Sequence, residues 1–127
     1  MYRKMGSDPN MRVLLQFTIE CLDNTLARGK ESDADWWWID AIQMGMPVFA
    51  KMTRETGDQR YAEKAWSMYA YTRDKQDGGM RNPKDGLLWR DKDFNPPYRT
   101  AADKECYWSR GNGWVFGAFA MILRDNS

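Results

Sequence analysis

The sequence predicts an all-α chain, on three observations. Apolar residues recur at helical spacing in four separate stretches. Glycines and short polar side chains stand where those stretches begin and end. Two of the stretches are joined by Thr56-Gly57-Asp58, the short connection of an αα-hairpin. With 127 residues the chain is sized for one domain, spanning 1–127.

The first helix is expected where Met11, Leu14, Leu15, Thr18, Leu22 and Leu26 repeat, with Arg28-Gly29 as its stop. Residues 1–10 read as a mobile N-terminal segment. They carry basic residues but no apolar run, so they are not expected to be a signal peptide. The polar stretch 30–34 reads as a loop, and Asp33 or Asp35 can cap the next helix. That second helix is expected from about Trp36 to Thr56, ended by Gly57 and kinked at Pro47, which removes the bond to the Gln43 carbonyl. Asp58 caps a third helix running to about Lys75. From Gln76 to Arg110 the chain is rich in proline, glycine and charge, with one apolar island at Leu87-Leu88-Trp89. This reads as a long ordered loop with a brief strand at the island, because Trp89, Phe94, Tyr98, Tyr107 and Trp108 argue against disorder. Asn112 or Gly111 then opens a last helix through Val115, Phe116, Phe119, Ile122 and Leu123.

Composition removes several function classes. Nineteen basic and eighteen acidic residues leave a net charge of +1, so no global field draws in nucleic acid or an acidic membrane. No apolar stretch approaches the ~20 residues needed to span a bilayer. The chain has no histidine, which excludes a Ser-His-Asp triad, a Cys-His pair and the His-containing zinc sites within it. Cys21 and Cys106 form no CxxC motif and read as two ordinary buried thiols, with one disulfide as the alternative. Proton transfer therefore falls to Asp, Glu, Lys, Tyr or Cys, and carboxylates are the best stocked of these.

Two motifs carry chemistry. Asp35-Trp36-Trp37-Trp38-Ile39-Asp40 sets three indoles between two acids. Indole rings cover the apolar faces of a sugar while a carboxylate handles protons; the plainer reading is a helix contact with acids at a helix N-terminus. Tyr107-Trp108-Ser109-Arg110-Gly111-Asn112-Gly113-Trp114 places an arginine just ahead of a helix N-terminus, between two tryptophans. Guanidinium and free amides there can converge on one carboxylate. The plainer reading is a glycine-rich turn with a locally paired arginine and two core tryptophans.

These two motifs, together with Thr56-Gly57-Asp58 and Gly86-Leu87-Leu88-Trp89-Arg90-Asp91 between them, resemble the unsaturated glucuronyl and rhamnogalacturonyl hydrolases, glycoside hydrolase families 88 and 105. The resemblance covers about residues 33–123, in order and with similar spacing. It implies a glycosidase for the oligosaccharides left by polysaccharide lyases, whose terminal uronate carries a C4=C5 double bond. An Asp protonates C4, water adds at C5, and the hemiketal collapses to release the neighbouring sugar, unlike the usual two-carboxylate mechanisms. The implied general acid/base is Asp40. Trp108, Arg110 and Trp114 match positions that stack on sugars and hold the uronate carboxylate. Trp36, four residues before Asp40, is expected on the same helix face. No metal or organic cofactor is implied, and the implied partner is the unsaturated oligosaccharide.

Two departures accompany the resemblance. Many members place a substrate-contacting histidine in the segment that here reads Leu88-Trp89-Arg90-Asp91; either Arg90 substitutes for it or the substrate differs. The family fold is an (α/α)6 barrel of twelve helices, which needs on the order of 250 residues. A chain with about four helices is therefore expected to be a fragment of that barrel, self-associating through its open edges. Three classes remain open: a hydrolase, a non-catalytic carbohydrate-binding piece, and a merely self-associating fragment. Epimerases that share the barrel are disfavoured by the missing histidine.

Overall fold

The computed structural model describes residues 8–125. Four α-helices, α1 (Pro9–Ala27), α2 (Asp40–Thr56), α3 (Arg60–Asp74) and α4 (Ser109–Asp125), are accompanied by 3-10 segments at Gly29–Asp35 and Gln76–Gly78. Among the described residues there is no strand, only a single antiparallel bridge between Arg81 and Leu88. The island at 87–89 thus contributes one bridged pair in place of a strand.

Several helix boundaries differ from expectation, some for local and some for tertiary reasons. Helix α1 begins at Pro9 because Asp8 caps it, accepting the Asn10 amide at 2.9 Å. Residues 8–10 therefore belong to a capped helix, and the rest of the expected mobile segment lies outside the described residues. The stretch 30–34 is not a free loop: it lies within the 3-10 segment, where the Ser32 hydroxyl donates to the carbonyls of Thr25 and Gly29. Helix α2 starts four residues later than periodicity suggests. Its early part, 36–39, is held outside the helix by tertiary bonds: Thr72 Oγ1 donates to the Trp36 carbonyl at 2.7 Å, and the Ile39 amide donates to the Arg90 carbonyl at 3.2 Å. Pro47 stands inside α2 without ending it, and Gly57 terminates it in the left-handed conformation, φ 77°. Asp58 accepts the Arg60 amide at the entry to α3.

Helix α2 is the centre of the packing, against α3 on one side and α4 on the other. Ile39, Ile42, Met68, Met80 and Ala118 are fully buried in this core. The long connection from 76 to 108 is tied to the end of α3 by the Met80 and Arg81 amides, which donate to the carbonyls of Thr72 and Arg73. Cys21 is exposed, Cys106 is half-buried, and both are free thiols, so neither the disulfide nor the pair of buried thiols forms. No helix among the described residues is long and apolar enough to cross a membrane.

Candidate active site

The fold brings the two tryptophan motifs into one row. Trp37 and Trp38 lie 5.4 Å apart by ring centroid, Trp38 and Trp108 6.3 Å, and Trp108 and Trp114 5.2 Å. Such offset and edge-on spacings are favourable in themselves and leave ring faces for other contacts. A glycine and an asparagine make the approach possible. A Cβ at Gly111 would stand 2.5 Å from the Trp108 ring and 2.8 Å from Ile39, so only a glycine lets the start of α4 close over both. Asn112 fastens the same corner: its side chain accepts from the Leu88 amide and donates to the Leu88 carbonyl, each at 2.8 Å.

Trp36 does not join the row. It precedes α2, so the shared helix face expected for Trp36 and Asp40 does not exist. Its ring is 7% exposed, lies over Gly45 and meets Phe49 edge-on at 6.1 Å. A ring enclosed in this way has no face open to a sugar, and the exposed ring of the triplet is Trp37.

Both arginines line the row. Arg110, the second residue of α4 and not its flanking residue, places its guanidinium 5.1 Å from the Trp108 ring and 5.5 Å from that of Trp114. It is exposed and has no ion-pair partner among the described residues. The plainer reading of the motif, an arginine paired to a local acid, therefore does not hold here. Arg90 lies 5.7 Å from the Trp38 ring and 4.2 Å from that of Phe94, with Nε donating to Asp91 at 2.7 Å.

Asp40 opens α2 directly after Ile39, which packs under Gly111. A helix N-terminus favours a carboxylate. Its Oδ1 is buried without a hydrogen-bond partner, as is Gln43 Oε1 one turn further along the same helix face. The other enclosed acids are tied down. At Asp91 burial opposes ionisation, but bonds from Trp38, Arg90 and the Asp93 amide, with the charge of Arg90, outweigh it and hold the carboxyl below its ordinary range. Asp33 is likewise held low: burial again opposes ionisation, and Lys64 and Ser67 overcome it. Among the described residues no three His, Cys, Asp or Glu side chains gather as metal ligands.

The sequence profile of Glycosyl Hydrolase Family 88 matches residues 1–125. The chain belongs to that family. An unsaturated 3S-rhamnoglycuronyl hydrolase of Formosa agariphila is 32% identical over 95 residues, covering 71% of this chain and 24% of the relative. A second protein of the same description, from an Alteromonas species, is 31% identical over 94 residues, covering 71% of this chain and 21% of the relative. A solved family 88 glycosyl hydrolase from Bacteroides vulgatus superposes with a TM-score of 0.65 at 38% identity, covering 72% of this chain and 25% of that structure. The chain thus spans about a quarter of the length of the relatives it matches. Its helices fit as a fragment of the family's α/α barrel.

Three residues of this candidate site escape a reading of the sequence by motif. Asp91 joins Trp38 to Arg90, Asn112 joins the 88–91 segment to α4, and Tyr107 braces the loop by donating to Asp85 at 2.6 Å while accepting from Asn82. All three stand inside or beside the recognised motifs. Each has a partner 22 to 53 residues away, a separation that local spacing does not encode.

Proposed function

We propose that this site serves hydrolysis of unsaturated uronides, the glycosidase chemistry of family 88. The observation that carries the reading is the state of Asp40. Among the described residues it is the one carboxylate with a buried, unpartnered oxygen, while Asp91, bonded to Trp38, is committed to three donors. An acid that must give a proton and take one back cannot be held by permanent donors on both oxygens.

In this reading the unsaturated sugar lies along Trp108 and Trp114, with its carboxylate on Arg110, whose planar fork suits bidentate binding. Arg90 and Trp38 contact the next group along the row. Asp40 delivers a proton to C4 of the C4=C5 bond. Water then adds its oxygen to C5 and returns a proton to Asp40. The resulting hemiketal opens and the neighbouring sugar leaves. A second reading, sugar binding without turnover, is favoured by the length of the chain, about a quarter of its relatives. One experiment separates them: incubation with an unsaturated uronyl–rhamnose disaccharide, followed by the ultraviolet absorbance of its double bond. Loss of absorbance supports hydrolysis. Saturable binding with a persistent double bond supports the second reading.

A further inference from the structure

Asp91 makes more of the aromatic row than the proposed reaction requires of it. Its carboxylate is 2% exposed and accepts three hydrogen bonds, from Trp38 Nε1 at 2.7 Å, Arg90 Nε at 2.7 Å and the Asp93 amide at 3.0 Å. Trp38 and Arg90 share Oδ2, so one atom fixes an indole and a guanidinium relative to each other. Two further contacts tighten the geometry. The Ile39 amide donates to the Arg90 carbonyl, and the Phe94 ring lies under the guanidinium. Among the described residues only Nε of Arg90 is hydrogen-bonded, so both terminal amino groups stay open at a side chain that is 36% exposed.

An ordinary ion pair between neighbouring residues would not need the indole. Arginine side chains lose much rotamer freedom when they bind an anion, and an arginine already ordered on a buried carboxylate has met that loss during folding. Tryptophan likewise offers a usable face only if its plane is fixed. We propose that Asp91 is a positioning residue: it presets Trp38 and Arg90 as one stacking-plus-anion subsite, adjoining Trp108, for an acidic sugar. The inference rests on the sugar-binding part of the function proposed above and extends it to a residue that does not touch substrate.

The test is a calorimetric titration, in the Asp40→Asn chain so that no turnover accompanies binding, with the unsaturated uronyl–rhamnose disaccharide and, as a neutral probe, cellobiose. Asp91→Asn is expected to weaken the disaccharide by about tenfold, within the coupling seen for neighbouring groups in one network. It should weaken cellobiose less, because a neutral sugar loses only the fixed face of Trp38 and not the anion contact to Arg90. The loss should largely vanish in an Arg90→Ala, Trp38→Phe background, because Asp91 acts through those two side chains; a general structural role would persist there. Nuclear magnetic resonance gives a readout without sugar. The Trp38 indole proton, assigned with Trp38→Phe, should move upfield and exchange faster in Asp91→Asn. If Asp91→Asn does not fold, Arg90→Lys keeps the charge and deletes the Nε donor, and is expected to weaken the disaccharide selectively. An unchanged disaccharide affinity in Asp91→Asn, or in Arg90→Lys where that is the variant used, overturns the proposal, as does a loss that persists in the double-variant background. If the parental chain binds neither sugar, the function proposed above fails on its own, and the Trp38 indole proton still decides whether Asp91 holds that ring.

Discussion

At the scale of single residues, the chemistry turns on which charged groups are committed and which are free. Asp40 has a buried oxygen with no donor, and Arg110 has two rings and no acid among the described residues. Asp40→Asn keeps the shape and removes the titrating proton, so in an active family 88 form it should lower turnover by about 10²–10⁴-fold while sugar affinity survives. Steady-state rates beside a binding titration check this. Arg110→Ala should cost roughly 2–5 kcal/mol for the unsaturated disaccharide, as expected on truncating a partly desolvated ionic contact. Neutral oligosaccharides of the same length should show little of that loss, whereas Trp114→Ala should weaken both classes alike. Asp40, Arg110 and Trp114 are all legible in the sequence, because each stands inside a contiguous motif whose chemistry is carried by residue type. Trp36 is misplaced by the same reasoning: a triplet of tryptophans does not say which ring turns inward, and that is decided by Gly45, nine positions on.

Between elements, glycines and buried ion pairs set how closely the helices meet. A Cβ at Gly45 would stand 2.3 Å from the Trp36 ring. Alanine is favoured over glycine in a helix by about 1 kcal/mol. Overpacking against a buried indole costs about 1–3 kcal/mol, so Gly45→Ala should be destabilising in net terms, by urea denaturation. Lys64 on α3 reaches both the Gly29 carbonyl and Asp33, knitting the 3-10 segment to α3. Lys64→Met leaves that carboxylate without its cation and should cost about 3 kcal/mol. The pH dependence has a definite sign. Asp33 and Asp91 both ionise below their ordinary value of about 3.9, so on acidification the unfolded chain takes up their protons before the folded one does. Their stabilisation is complete above that value and is lost as pH falls through their lower folded values. The urea midpoint should therefore drop in acid, and less steeply in Asp33→Asn. Element type is legible from apolar spacing and from Gly57. The starts of α2 and α4 are not, since they depend on Thr72, Arg90 and Leu88 bonding to residues far off in the sequence.

On the scale of the whole molecule, the helices leave much apolar surface open. Val13, Leu14 and Phe17 on α1, Met44 on α2, and Phe116 and Leu123 on α4 are all more than half exposed. Three of them, Val13, Leu14 and Phe17, stand within five positions of one helix, and apolar surface exposed together in this way marks an association face. The chain is expected to self-associate through these faces, and sedimentation at rising concentration should show dimers or larger species; a compact monomer throughout would contradict this. The fragment character is legible from arithmetic on helix count against a barrel. The continuity of the row from Trp37 to Trp114 is not, because it exists only once α4 packs on α2.

The most direct test of the central claim is to follow the unsaturated uronyl–rhamnose disaccharide by nuclear magnetic resonance in heavy water. If Asp40 protonates the double bond, the vinyl signal disappears, one deuteron is found at C4 of the product, and Asp40→Asn abolishes both changes. Consumption of the sugar without deuterium at C4, or at an undiminished rate in Asp40→Asn, would contradict it.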